Sequence, residues 1–182
     1  DVDFDDRVKD LIDSKYDAAI RIGHMPDSSF IIRQLQPVRA VCAASPDYLE
    51  KFGTPEEPRD LYGHECLRYL NARTGEWEFL SGGKQIRIRP HGRMASGNGE
   101  ALLQWAILGF GVLYAPNFIV EDALKDGRLV RILADYASPE LSMCVMRPPG
   151  GLVPAKVRAL TDFLVTRMGV YCNEDEQGES TD

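Results

Sequence analysis

The sequence has no long hydrophobic run. No stretch approaches the about 18 consecutive apolar residues that a membrane-spanning helix needs, so no membrane association is expected. Metal-ligand spacing is missing too. The four cysteines, Cys42, Cys66, Cys144 and Cys172, form no CxxC pair. The three histidines, His24, His64 and His91, stand at no ligand spacing from them, which argues against zinc. No phosphate loop or Ser-His-Asp order appears. Cys66 with His64 could be imagined as a nucleophile and base, but no third group orients them. The expectation is therefore a non-enzyme: no catalytic residue, no metal and no cofactor.

Positive charge is scarce. The chain has 21 Lys and Arg against 28 Asp and Glu, and no basic stripe, so nucleic acid is not an expected partner of this chain itself. Much of the excess acid lies in the last eleven residues, Cys172 to Asp182, which carry five acids and no Lys or Arg. That tail is expected to be disordered. The first residues, DVDFDDRVKD, contain no apolar core of a secretory signal and no initiator methionine. They read as an internal start. Four thiols without a disulfide pattern fit a reducing cytoplasm.

What is present is an ordinary globular composition, 44% hydrophobic over 182 residues, enough to bury a core. Val2 and Phe4 alternate with aspartates like the end of a half-buried strand. Asp6 can cap a short helix carrying Val8, Leu11 and Ile12. Tyr16 to Ile22 reads as a strand ended by Gly23, and this strand–helix–strand order suggests a parallel βαβ unit. Two extended runs, Phe30–Leu35 and Val38–Ala44, are broken at Pro37. Ser45-Pro46 opens a helix that stops at Gly53 as an αL terminator. Cys66–Leu70 and Trp77–Leu80 alternate like antiparallel strands. Ser81-Gly82-Gly83-Lys84 is a hairpin turn into the strand Gln85–Pro90. Ser96 or Asn98 can cap a helix bearing Leu102, Leu103, Ala106 and Ile107, ended by Gly109 and Gly111. A strand, Val112–Ala115, and a helix starting at Pro116 follow, then a strand, Leu129–Leu133. Glu140–Met146 has few charges and should be buried on both faces. Pro154 begins a helix with Val157, Leu160, Phe163, Leu164 and Met168 at helical spacing.

Six segments occur in the order and spacing of one family. They are DLIDSKYDAAIRIG (10–23), SSFIIRQLQPVRAVCAASPDYLEKFGTP (28–55), DLYGHECLRY (60–69), NGEALLQWAILGFGVLYAPNFIVEDAL (98–124), GRLVRIL (127–133) and PAKVRALTDFL (154–164). Together they resemble the effector-binding domain of LysR-type transcriptional regulators. The resemblance implies an α/β fold of the type 2 periplasmic-binding-protein class, with two lobes joined by hinge strands. Lobe I would comprise 1–40 and, as its return strand and C-terminal helix, 138–170. Lobe II would comprise 41–137, and 171–182 would be the tail. It further implies that a winged helix-turn-helix and the first βα of lobe I lie before residue 1. DNA would then be a partner only of the parent protein, a homodimer or tetramer. Val2–Phe4 and the Glu100–Leu108 helix match surfaces that members use for that dimer, so this chain alone should have a weakened interface.

The resemblance also implies a small-molecule effector held in the cleft between lobes. Strand ends and helix N-termini line such a cleft, and free N–H groups suit an anionic effector. The candidate contacts are Ile22, Gly23 and His24 after one strand, Asn98, Gly99 and Glu100 at one helix start, and Tyr114, Pro116 and Phe118 at the next. Each has a structural alternative. Gly23 serves a turn, Glu100 complements a helix dipole, Tyr114 and Phe118 fill core, and His24 is a solvated loop residue. Two function classes follow: an effector-sensing module of a transcription factor, or a solute-binding protein of an uptake system with the same fold.

Overall fold

The computed structural model describes residues 1–5, 16–23, 30–72, 74–150 and 152–168. The helix expected after Asp6, the loop holding His24 and the acidic tail lie outside them. In chain order the elements are β1 (Ala19–Gly23), β2 (Ile31–Gln34), β3 (Val38–Ala44), α1 (Pro46–Phe52), a 3-10 turn (Pro58–Gly63), β4 (Arg68–Tyr69), β5 (Trp77–Ser81), β6 (Lys84–Ile88), β7 (Ala95–Ser96), α2 (Gly99–Ile107), β8 (Leu113–Pro116), α3 (Asn117–Lys125), β9 (Val130–Ile132), β10 (Glu140–Arg147) and α4 (Ala155–Met168). They divide into two compact units. Unit 1 holds 1–8 and 39–140; unit 2 holds 9–38 and 141–182. The chain crosses between units within β3 and within β10.

Unit 1 is built on β3. β8 pairs antiparallel along one edge (Val41 with Ala115) and β9 along the other (Ala43 with Arg131). Alternate β3 side chains serve opposite faces, as strand geometry requires. Val41 and Ala43 join Leu102, Leu103, Ala106, Val120 and Ala123 beneath α2 and α3. Cys42 and Ala44 join Tyr48, Trp77, Phe79, Ile88 and Ile132 on the opposite face. Local signals act where expected. Ser45 Oγ accepts from the Tyr48 N–H at 3.2 Å with Pro46 at the first helical position. Gly53 ends α1 at φ 84°, yet its ψ of 167° is extended, so the terminator is not αL. The β5–β6 hairpin closes through Gly82 and Gly83 at φ 54° and 74°, the left-handed pair a two-residue turn demands.

Unit 2 is built on β10. β1 pairs antiparallel with it (Ile20 with Val145), and β2 pairs along the other edge (Arg33 with Val145). Met143, Cys144, Val145 and Met146 are all buried, so β10 is covered on both faces. Leu35, Val38, Met143 and Val145 meet Leu164, Val165 and Met168 of α4.

Several expectations fail. Residues 1–5 form no strand, and Val2 and Phe4 are 80% and 93% exposed. Alternation is necessary for a half-buried strand but does not supply a partner. Nor is β1 part of a parallel βαβ unit, since its partner is the antiparallel β10. Cys66–Leu70 contributes the short β4, which runs parallel to β7, and a lone parallel bridge from Cys66 to Val112, while β5 pairs with β6. On α4 the periodic apolar residues divide between faces: Val157 is buried and Phe163 is 60% exposed.

Candidate functional site

Six of the residues named from sequence lie in unit 1: Asn98, Gly99, Glu100, Tyr114, Pro116 and Phe118. Asn98 takes extended backbone at φ −118°, and its Oδ1 accepts from the Ala101 N–H at 2.9 Å, capping α2. Its own N–H donates to Ser96 Oγ at 3.0 Å. Asn71 Nδ2 donates to the Gly97 carbonyl at 2.9 Å, and Leu70 N–H donates to the Ser96 carbonyl at 2.9 Å. The approach to α2 is thereby fixed from β4. A Cβ on Gly99 would stand 3.1 Å from Ile119 Cδ1, so the first turn of α2 lies against the first turn of α3. Glu100 is turned along its own helix, where it accepts from Gln104 Nε2 at 2.9 Å.

β8 runs straight into α3. Pro116 is its N-cap and brings no side-chain cap. Pro has neither an N–H nor a polar side chain, so Pro116 offers no side-chain acceptor to the first turn of α3. Phe118 projects from this turn, 45% exposed. Two helix N-termini thus lie side by side, one capped by Asn98 and one without a side-chain cap. Their partial positive charges add over a short distance.

Tyr114 is held differently. Its ring stacks on Trp77 at 5.2 Å and tilts against Phe79 at 5.2 Å. Its hydroxyl donates to the Glu78 carbonyl at 2.5 Å. Burial drives the phenol above its ordinary range. Ile22 and Gly23 belong to unit 2, at the end of β1, opposite Met143 and Ser142 of β10. Gly23 has φ 135°, a conformation L side chains rarely adopt. Sequence reading missed Asn71 and Ile119.

Cys66 and His64 do not form a nucleophile and base. The Cys66 thiol points to the carbonyls of Leu61 and His64, each at 3.7 Å, and burial pushes it up to about 12. His64 Nδ1 faces the Tyr48 hydroxyl at 3.2 Å, and burial lowers the imidazole from its ordinary value. A thiol so disfavoured as thiolate is not an activated nucleophile. Among the described residues no group of three or more His, Cys, Asp or Glu could hold a metal. No helix among them is long and apolar enough to cross a membrane.

Residues 1–169 match the model of the LysR substrate binding domain. The chain belongs to this family. An HTH-type transcriptional regulator of Haemophilus influenzae is 36% identical over 162 residues, covering 88% of this chain and 56% of that protein. One of Xanthomonas campestris is 35% identical over 165 residues, covering 87% and 48%. The chain thus spans about half the length of the curated relatives it matches. The regulatory domain of CrgA, a LysR-type transcriptional regulator from Neisseria meningitidis, superposes with a TM-score of 0.77 at 30% identity. That match covers 89% of this chain and 81% of the CrgA domain. The fold is accordingly that of the type 2 periplasmic-binding-protein class. The LysR substrate binding domain is the effector-binding part of transcriptional regulators and not an enzyme family.

Proposed function

We propose that this chain is the effector-sensing part of a LysR-type bacterial transcription factor. It binds a small molecule and passes the binding event to a DNA-binding segment outside these residues. The observation that carries this is the family match over residues 1–169. The relatives are named transcriptional regulators, which supports this reading over uptake of a solute. The intact protein is a cytoplasmic homodimer or tetramer, and its DNA contacts belong to its helix-turn-helix. The contacts proposed for the effector are Ile22, Gly23, His24, Asn98, Gly99, Glu100, Tyr114, Pro116 and Phe118. An anion is the preferred class, because the first turn of α3 has neither a side-chain cap nor an acidic residue, and such a helix N-terminus favours negative charge.

The test is a thermal-shift screen of small carboxylates and other metabolites on the full-length protein. A ligand at about 100 times its Kd stabilises by about 2.7 kcal/mol, a rise of several degrees. Phe118→Ala should keep the stability of the free protein and shrink that rise. A broad library that stabilises nothing, or a hit unmoved by Phe118→Ala, defeats the respective part of the reading.

A further inference from the structure

Ten residues of unit 1, Lys84 to Arg93, carry four Lys or Arg and no acid, in a chain whose net charge is −7. Apolar residues interleave these charges, so the sequence shows no continuous basic stripe. The fold sorts them. Successive side chains of a strand take opposite faces, and Ile86 and Ile88 of β6 pack with Trp77 and Phe79 while Arg87 is exposed. The alternation continues past β6: Arg89, His91 and Arg93 are exposed, Pro90 is buried and Gly92 is half-buried. A Cβ on Gly92 would stand 2.0 Å from the Cys66 carbonyl oxygen, so this segment lies close against its neighbour. Backbone bonds hold it there, from the Cys66 N–H to the His91 carbonyl at 3.0 Å and from the Arg68 N–H to the Met94 carbonyl at 3.1 Å. Arg68 Nε donates to the Gly92 carbonyl at 3.1 Å, which places a fifth cation beside the row.

Two acids reach the row. Glu78 pairs with Arg87 and Glu65 with Arg93, each at 3.2 Å, and both arginines stay more than half exposed. Among the described residues no carboxylate pairs with Lys84, Arg68 or Arg89. Five cations against these two carboxylates leave three positive charges uncompensated on a backbone that the fold holds in place.

We propose that this row contacts the phosphate backbone of DNA beside the site held by the helix-turn-helix of the intact regulator. The inference rests on the transcription-factor reading and goes beyond it, since it gives the effector-sensing part a DNA contact of its own. A linear row of cations suits a linear polyanion, and duplex DNA presents one negative charge per about 1.7 Å of its axis. Guanidinium groups bind phosphate through paired donors and read no sequence in doing so. The net negative charge of the whole chain opposes the approach of DNA, so the contact is weak and gains its effect where DNA is already held close.

The test is titration of the 182-residue chain with a short DNA duplex of arbitrary sequence, followed by amide-resolved NMR. Shifts are expected at 68 and 84–93. Three phosphate contacts predict a log–log salt slope of about −2.7, an affinity loss of about 40-fold between about 50 and 200 mM salt. Arg89→Gln should make that slope shallower by about 0.9, and Arg89→Glu should abolish the shifts. Arg89 is exposed and unpaired among the described residues, so both variants should fold, and spectra unchanged away from 89 verify it. Polyglutamate serves as the probe for an acidic protein surface and should leave these amides unshifted relative to DNA. No shift at about 50 mM salt, shifts elsewhere only, an affinity indifferent to Arg89→Gln, or polyglutamate acting as strongly as DNA would each overturn the proposal. None of these outcomes touches the effector reading, which the thermal-shift screen tests separately.

Discussion

Replacing Tyr114 by phenylalanine removes one oxygen and leaves the ring between Trp77 and Phe79 in place. What is lost is the 2.5 Å hydrogen bond to the Glu78 carbonyl. That carbonyl sits in the partly buried β5 strand, so its acceptor is left without this partner. Losing one partner of such a bond costs about 1–2 kcal/mol. Against a total of about 5–15 kcal/mol the change is readily measured. With a urea m-value of about 2 kcal/mol/M, the midpoint should fall by roughly 0.5–1 M at unchanged m. Tyr114→Ala also loses the two ring contacts and should cost roughly 3–5 kcal/mol. The assay is urea unfolding followed by fluorescence in a Trp105→Phe background, which leaves Trp77 as the only tryptophan. Trp77 stacks directly on Tyr114, so the signal reports unit 1. If Tyr114→Phe unfolds at the parent midpoint, the hydroxyl is not structural, and the hydrogen bond to the Glu78 carbonyl does not support the fold.

Three further outcomes are expected. Gly111→Ala should destabilise unit 1 by roughly 2–4 kcal/mol, because the added Cβ would stand 2.4 Å from the Glu65 carbonyl oxygen; thermal unfolding within a degree of the parent would refute the close approach. Burial lowers the His64 imidazole below its ordinary value of 6.5, with the Asp60 carboxylate opposing. Between the folded and unfolded values the unfolded chain holds more protons, so this contribution to stability is present above 6.5 and lost as pH falls below it. The urea midpoint should therefore drop more steeply with acidification in the parent than in His64→Gln, and parallel curves would contradict the assignment. Burial also raises the thiols of Cys42, Cys66 and Cys144. A Cys172→Ser chain should accordingly resist a thiol-specific chromogenic reagent until urea is added, and rapid native-state labelling would show that these thiols are accessible.

The parts of the fold legible in the sequence are those settled within a few residues. The Ser45 and Asn98 caps, the Gly82-Gly83 turn and the charge-poor β10 all follow from local backbone needs and side-chain chemistry. Overlapping apolar stripes were harder. Helical spacing on α4 admits both the Val157–Leu164–Met168 stripe and the Leu160–Phe163 stripe, and only packing against β10 selects the first. The candidate site was legible as positions and not as roles. Asn98 read both as a cap and as a contact, and the structure shows its Oδ1 engaged by Ala101. Tyr114 read equally as core or contact, and Trp77, Phe79 and Glu78 hold it.

The sequence by itself determined the family and the starts of α1, α2 and α3, because these are written in ordered motifs and short-range signals. The tertiary structure alone decided which strands pair. β1 pairs with β10, about 120 residues later, and β4 with β7 in parallel. It also decided that the first turns of α2 and α3 meet at Gly99. Strand pairing and long-range contact depend on which surfaces find partners, and no local propensity encodes a partner.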